Sequence, residues 1–141
     1  MDMVMKLSRT VAYALQATLQ LAQADGTQPI PCSRLAAEGA MPERFLLQIL
    51  RSLVTHGILQ STRGVVGGYT LVRPPEEISL LEIIEAIEGP VGSSFPAAEG
   101  LDVAQHAKLQ SALQEVATLA RRQLGAIKLS EMVRVEPAET I

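Results

Sequence analysis

The junction between an amphipathic helix and a glycine-rich hairpin, within residues 42–72, is the feature that most constrains the fold of this chain. Apolar side chains recur there at the three- and four-residue spacing of a helix buried along one face, and polar side chains occupy the other face. Pro42 suits a first helical turn and Gly57 suits the left-handed position that ends a helix, so we expect a helix from Pro42 to His56. The apolar positions are Phe45, Leu46, Ile49, Leu50 and Leu53, and the polar positions are Glu43, Arg44, Gln48, Arg51 and Ser52.

A short hairpin is predicted to follow this helix. Residues 58–62 and 69–72 have the composition of two strands, and the glycine-rich turn RGVVGG joins them. A flexible hairpin that carries Arg63, beside a helix that exposes Arg44 and Gln48, is typical of a winged helix-turn-helix.

These residue types suit the grooves of double-stranded DNA. A helix fits the major groove, where arginine bonds guanine and glutamine bonds adenine, so Arg44 and Gln48 are candidate base contacts. A narrow minor groove attracts an inserted arginine, which makes Arg63 the candidate wing contact. Arg9 and Arg51 are candidate phosphate contacts, because the backbone takes half or more of protein–DNA hydrogen bonds. Three wing glycines either let the backbone approach phosphates or serve only the turn: Gly64, Gly67 and Gly68.

Composition limits the other functions of the chain. Its 141 residues are 48% hydrophobic but only 3% aromatic, which favours one small, mainly helical domain with an aliphatic core. No run of about 18 apolar residues occurs, and the start lacks the apolar stretch of a signal peptide, so we expect a cytoplasmic protein. The single Cys32 excludes an intrachain disulfide and a multi-cysteine metal site. We expect it to be a small buried residue, with a reactive thiol at a helix N-terminus as the alternative.

The net charge of −3 is divided unevenly along the chain. Residues 1–75 hold seven basic and four acidic side chains, a balance of +3, whereas residues 76–141 hold five basic and eleven acidic ones, a balance of −6. A basic front for phosphate and an acidic back would explain this division. A merely solvated surface is the alternative.

The residues before the hairpin predict two more helices. The first should run from Ser8 to Ala24 as the central brace of the core, and the second from Cys32 to Gly39. The second helix and the one that begins at Pro42, separated by a short turn, would form the helix-turn-helix. The apolar residues expected to face inward are Leu7, Val11, Leu15, Leu19 and Ala22 in the first helix, and Leu35 and Ala36 in the second.

Two capped helices are predicted after the hairpin. A capping box of Ser79 and Glu82 precedes a helix that ends at Glu88, and Asp102 starts a similarly capped long helix that ends near Gln123. We therefore divide the chain into a winged domain, a loop, a dimerisation helix with a docked turn, and a loose tail. These parts cover residues 1–90, 91–100, 101–133 and 134–141.

The long helix carries an apolar stripe that a winged domain does not need for its own core. A second copy of the same helix is the simplest cover for it, which predicts a homodimer. Two-fold symmetry would then place two recognition helices about 34 Å apart, or at a multiple of that spacing. The stripe consists of Leu109, Leu113, Val116, Ala120 and Leu124.

The segments KLSRTVAYAL, MPERFLLQILRSLVTHGIL, RPPEEISLLEIIEAIEGP and KLSEMV resemble the Rrf2 family of bacterial winged helix-turn-helix transcription regulators. The resemblance implies a homodimer that binds a palindromic promoter site in double-stranded DNA and usually represses transcription. It places the family's recognition-helix contacts on Arg44, Phe45, Leu47 and Gln48, and its minor-groove contact on Arg63 with Gly64. Leu47 would either meet a thymine methyl group or pack on a neighbouring helix.

The chain departs from this family at two places. Many members hold an iron–sulfur cluster through three cysteines before the long helix, but residues 89–108 contain none, so no metal or cofactor is expected. The nearby Glu99, Asp102 and His106 would be very unusual cluster ligands, and His106 is expected to be solvated. In the wing, Val65 and Val66 stand where the family commonly has proline and glycine, and these β-branched residues would stiffen the tip. Any effector is then an unknown small molecule or partner protein.

The sequence offers no sign of an enzyme. It has no Ser/His/Asp constellation, no Walker-type phosphate loop and no paired metal ligands. The alternative to a DNA-binding regulator is a winged-helix module that has lost DNA binding and docks on a partner protein through its acidic half.

Overall fold

The computed structural model describes residues 6–24, 28–65, 67–92, 96 and 98–133. Within these residues the chain forms five α-helices, one two-stranded antiparallel sheet and two 3-10 turns, which is the mainly helical winged architecture that the sequence predicts. None of the described helices has both the length and the apolar character of a membrane span. The elements are α1 (Arg9–Gln23), α2 (Cys32–Gly39), α3 (Glu43–Thr55), β1 (Leu59–Thr62), β2 (Gly68–Leu71), the turn Pro75–Glu77, α4 (Leu80–Glu88), α5 (Val103–Ala126) and the turn Leu129–Met132.

Local capping explains why α4 and α5 begin where the sequence predicts. Ser79 Oγ accepts a hydrogen bond from the Glu82 N–H at 3.2 Å, and Glu82 Oε2 accepts one from the Ser79 N–H at 3.2 Å. Asp102 and Gln105 form the same reciprocal pair, with distances of 2.7 and 3.3 Å. These bonds satisfy N–H groups that would otherwise lack a partner in the first turn.

Helix α3 lies one residue inside each of its predicted ends. Pro42 is its N-cap, with an extended ψ of 122°, so the helix begins at Glu43. The chain leaves the helix through Gly57, whose φ of +77° is the left-handed conformation that the sequence predicts there.

The buried face of α1 differs from the predicted stripe. Leu15, Leu19 and Ala22 lie at the edge of the core, and Leu7 is 41% exposed. Helix α1 packs against both α3 and α4, and its small side chains let these helices approach closely. The apolar spacing had predicted that leucines, rather than alanines, would occupy this buried face. The residues of α1 that are at most 2% exposed are Val11, Ala14, Ala17, Thr18 and Leu21.

The hairpin of β1 and β2, called the wing from here on, is attached to the helical body by a third extended segment. Leu59 pairs with Leu71 and Thr62 with Gly68 at the two ends of the ladder. Ile30 forms an antiparallel bridge with Tyr69, with N–H···O distances of 3.1 and 2.9 Å in the two directions. The base of the wing is therefore fixed to the chain just before the helix-turn-helix.

Among the described residues, the buried side chain of α5 and its ion pair with the body lie in the C-terminal half of the helix. Ala117 is 7% exposed, and Arg121 forms an ion pair with Glu85 of α4. After the helix, an antiparallel bridge joins Lys128 to Ser79, and the predicted docked turn forms with Leu129 fully buried. Helix α5 ends at Ala126, three residues beyond its predicted end near Gln123. The predicted tail, residues 134–141, lies outside the described residues.

Candidate nucleic-acid interface

Helix α3 presents an open face with both hydrogen-bonding and apolar groups. Arg44, Gln48 and Arg51 are exposed, as predicted, and Leu47 is half-buried. Phe45 belongs by spacing to the apolar face but keeps 38% of its surface exposed, whereas the other apolar positions of that face are buried. The side chains that the sequence assigns to base contact thus lie together at the start of one helix.

Two glutamines of α1 hold the helix-turn-helix against the body. Gln16 Nε2 donates to the Gly39 carbonyl at 2.8 Å, and Gln20 Nε2 donates to the Leu35 carbonyl at 3.2 Å. Ala40 then ends α2 in the left-handed conformation, at a φ of +55°, and turns the chain toward α3. Apolar periodicity does not reveal this arrangement, because the contacts are polar and distant in sequence.

An aromatic pair joins α1 to the start of α3. The rings of Tyr13 and Phe45 meet edge to face, with centroids 5.9 Å apart and an interplanar angle of 80°. Arg9 is exposed and lies four residues before Tyr13, so both side chains are on one face of α1. This contact places the predicted phosphate contact Arg9 on the side of α1 that adjoins α3.

An open groove of about 830 Å³ separates α3 from the wing. The groove is lined by Arg51 of α3 and by Arg63 and Gly64 of the wing. The groove therefore brings together a predicted phosphate contact and the predicted minor-groove contact. Four hydroxyl side chains that the sequence analysis did not assign to the site also line it: Thr55, Ser61, Thr62 and Tyr69.

The three wing glycines have different roles. A Cβ on Gly68 would lie 2.4 Å from the Ile30 carbonyl carbon, and one on Gly67 would lie 2.4 Å from the Thr62 carbonyl oxygen. A Cβ on Gly64 would meet nothing within 4 Å. Gly67 is thus required inside the hairpin, and Gly68 is required where the wing packs on the segment before α2. Of the three, only Gly64 leaves open space for an approaching phosphate.

The arginines of the basic half fall into paired and unpaired groups. Arg34 forms an ion pair with Glu38 at 3.1 Å, and Arg73 forms one with Glu82. The arginines that the sequence assigns to DNA form no ion pair within the described residues, and each is exposed; they are Arg9, Arg44, Arg51 and Arg63. Their charge is therefore available to an external anion.

Arg73 fixes the segment that leaves the wing. Its Nη1 donates to the Glu77 carbonyl at 2.7 Å, and its Nη2 donates to Glu82, which also caps α4. Burial raises the pKa of Glu82, but hydrogen bonds from Arg73 and from the Ser79 N–H outweigh it and hold the pKa below its usual value. Glu82 thus stays ionised and links the wing exit to the start of α4.

Cys32 has the surroundings of an unreactive thiol. It is half-buried, and its Sγ donates a weak hydrogen bond to the Glu43 carbonyl at 3.7 Å. Burial raises the pKa of the thiol, and the neighbouring carboxylate of Glu43 raises it further. The packing role expected from the sequence is favoured over a reactive one.

The residues before α5 do not fit an iron–sulfur cluster. Such clusters are held chiefly by thiolates, and the chain has no cysteine there. Asp102 Oδ1 already accepts the Gln105 N–H at 2.7 Å, Glu99 is exposed, and His106, which the sequence places in solvent, is half-buried. No group of three His, Cys, Asp or Glu among the described residues could hold a metal ion.

We therefore expect the protein purified without oxygen to lack the visible absorbance and the iron content of an iron–sulfur cluster. Cys32 is its only thiol, and one thiolate cannot replace a three-cysteine ligand set. Absorbance spectra and iron analysis before and after cluster reconstitution would check this. A brown, iron-containing preparation would point instead to Glu99, Asp102 and His106.

Comparison with known proteins gives a consistent result. The Rrf2 family profile, described as an iron-dependent transcriptional regulator, matches residues 7–135. A putative HTH-type transcriptional regulator of Mycobacterium tuberculosis is 39% identical over 89 residues, which cover 63% of this chain and 55% of that protein. The chain thus spans little more than half the length of this relative.

Two solved structures cover nearly the whole chain. The structure of CymR, the global cysteine regulator of Bacillus subtilis, gives a TM-score of 0.74 at 26% identity and covers 91% of this chain and 95% of that one. The structure of a putative transcriptional regulator from Listeria innocua gives a TM-score of 0.75 at 29% identity and covers 100% of this chain and 97% of that one. The likeness therefore includes α5 as well as the winged part.

Proposed function

The chain belongs to the Rrf2 family of transcriptional regulators, and from this membership we propose that it binds a palindromic promoter site in double-stranded DNA as a homodimer and represses transcription. It acts in the cytoplasm, without enzymatic activity and without a cluster, and any effector is a small molecule or a partner protein.

The observation that carries this proposal is the groove between α3 and the wing. Arg51 and Arg63 line its two sides, and neither has an ionic partner among the described residues. A helix that exposes Arg44 and Gln48 on one side and a wing that exposes Arg63 on the other suit adjacent major and minor grooves of one duplex. The DNA strand between those grooves would then pass along the polar groove of the protein.

A mobility-shift titration on the promoter upstream of the chain's own gene, at two salt concentrations, tests the proposal. Binding should be specific over a scrambled duplex, and it should weaken as salt rises because phosphate contacts release counterions. Absence of any shift at low salt would favour the other candidate, a winged-helix module that docks on a protein through its acidic half.

Replacing Arg44 or Gln48 by alanine should relax sequence preference at one base pair each. The expected cost is about 1–3 kcal/mol at that pair, because each side chain can make a bidentate contact with one base. Affinities for duplexes substituted at single positions would measure it, and Arg34→Ala is a matched control, since that arginine is paired with Glu38. An equal loss on every sequence would indicate phosphate contacts instead.

Replacing Arg63 by alanine should weaken operator binding while leaving the thermal midpoint nearly unchanged. Its side chain is exposed at the wing tip and makes no ion pair among the described residues, so it contributes little to folding. Fluorescence anisotropy and thermal unfolding would measure the two effects. If the variant retained full affinity, the wing would have no part in DNA binding.

A further inference from the structure

The aromatic pair between α1 and α3 is notable because this chain has few aromatic residues. The whole sequence has two tyrosines, two phenylalanines and no tryptophan. One of each, Tyr13 and Phe45, meet edge to face where α1 adjoins the start of α3. Phe45 is nevertheless 38% exposed, although Leu46 beside it is fully buried. A ring used only for core packing would not need to stay this exposed.

The position of Phe45 gives its exposed surface a chemical context. Arg44 precedes it directly and Gln48 follows it by three residues, so all three side chains project within one turn at the start of α3. Arginine and glutamine can bond base edges in the major groove. The apolar group that a base presents in that groove is the methyl group of thymine, and phenylalanine is one of the side chains that contacts it.

We propose that Phe45 reads a thymine methyl group in the operator and that Tyr13 is a positioning residue for it. This inference rests on the proposed function, because it names one base feature that the recognition helix detects. The edge-to-face contact at 5.9 Å holds the ring of Phe45 from the α1 side, so little side-chain freedom remains to be lost on binding. The exposed part of the ring is then left for the methyl group.

A thymine-methyl scan of the operator tests this inference. A binding site is first selected from random duplexes with the full chain, and each thymine is then replaced singly by deoxyuridine, which removes only the methyl group. One thymine in each half-site should be sensitive in the wild type, with about a fourfold loss of affinity for a buried methyl group. The other thymines of the same duplex serve as internal controls.

Matched variants assign the sensitive methyl group to the aromatic pair. Phe45→Ala should bind thymine and deoxyuridine duplexes equally, whereas Arg34→Ala, whose arginine is paired with Glu38 and is not a predicted DNA contact, should keep the wild-type discrimination. Tyr13→Phe keeps the ring contact and should also keep the discrimination, but Tyr13→Ala should reduce it because the ring of Phe45 loses its support. A merely structural role for Tyr13 would lower affinity for both duplexes by the same factor.

A crosslinking measurement uses the wild-type chain, so its result does not depend on whether the variants fold. With 5-iodouracil at the sensitive position, light should crosslink the wild-type chain, and mass spectrometry should find the link on the peptide that contains Phe45. Three results would overturn the inference while leaving DNA binding intact. They are specific binding that is insensitive to every thymine methyl group, a Phe45→Ala variant that stays as sensitive to the methyl group as the wild type, and a crosslink to another residue. Absence of specific binding would instead be a failure of the proposed function.

Discussion

Replacing Gly68 by alanine is expected to destabilise the protein by at least about 2 kcal/mol and to weaken operator binding with it. A Cβ at this position would lie 2.4 Å from the Ile30 carbonyl carbon and 2.6 Å from the Pro31 nitrogen. Both are backbone atoms, so no side-chain rotation can relieve the overlap. The φ of +152° adds strain, because residues other than glycine rarely adopt this backbone conformation.

The loss should be localised at the base of the wing. The overlap pushes apart the two segments that are joined by the Ile30–Tyr69 bridge, and those hydrogen bonds connect the wing to the chain before α2. Denaturant unfolding measures the stability, and hydrogen exchange at the Tyr69 N–H reports on the bridge. Gly92→Ala is the matched control, because a Cβ there would meet nothing within 4 Å. A variant as stable as that control would mean that the wing tolerates displacement from Ile30.

The elements of this fold were predictable where the signal is local. Ser79 and Asp102 cap helices through residues three positions away, so the spacing itself carries the information. The same holds for Gly57, whose left-handed conformation ends the turn after α3. These positions agree with the structure within a few residues because nothing distant in sequence is needed to form them.

Interactions between distant segments were not predictable in this way. The buried face of α1 depends on how closely α3 and α4 approach its alanines, and apolar spacing does not encode that distance. The ion pair of Arg73 with Glu82 and the bridge of Ile30 with Tyr69 join segments that the pattern treats separately. The wing glycines were correctly located, but only the distances from each Cβ position distinguish Gly64 from Gly68.

The residues of the candidate interface are predictions from the sequence, and their contacts with DNA stay predictions, whereas their arrangement came only from the structure. Arg44, Gln48 and Arg63 follow from residue type and position on the predicted elements. Tyr13 could have been found from its spacing of four residues from Arg9, yet the sequence contains nothing that pairs it with Phe45. The groove also needs the wing angle, which the tertiary contacts of Ile30 and Arg73 set.

The dimer that we propose depends on the N-terminal half of α5. The predicted stripe is divided: Ala120 and Leu124 are half-buried, whereas Leu109, Leu113 and Val116 are 40%, 38% and 62% exposed. The described body covers only the later turns of this helix, through α4. An apolar surface of this kind on a helix is the usual mark of a protein interface, and a second copy of α5 would cover it.

Replacing Val116 by glutamate is therefore expected to convert a dimer into a folded monomer and to lower operator affinity by about 100-fold or more. In a symmetric dimer each copy would bury one unpaired carboxylate, which costs several kcal/mol. In the monomer the same side chain points into solvent, because Val116 is 62% exposed, so the helical content should be retained. A monomer also loses the second recognition helix, which should lie about 34 Å away or at a multiple of that spacing.

Light scattering and operator titration measure both effects, and Gln114→Glu, which adds the same charge at an exposed position of α5 outside the stripe, is the control. If Val116→Glu remained dimeric with full affinity, or if the wild type were monomeric at micromolar concentration, α5 would have another role and the palindromic site would lose its structural basis.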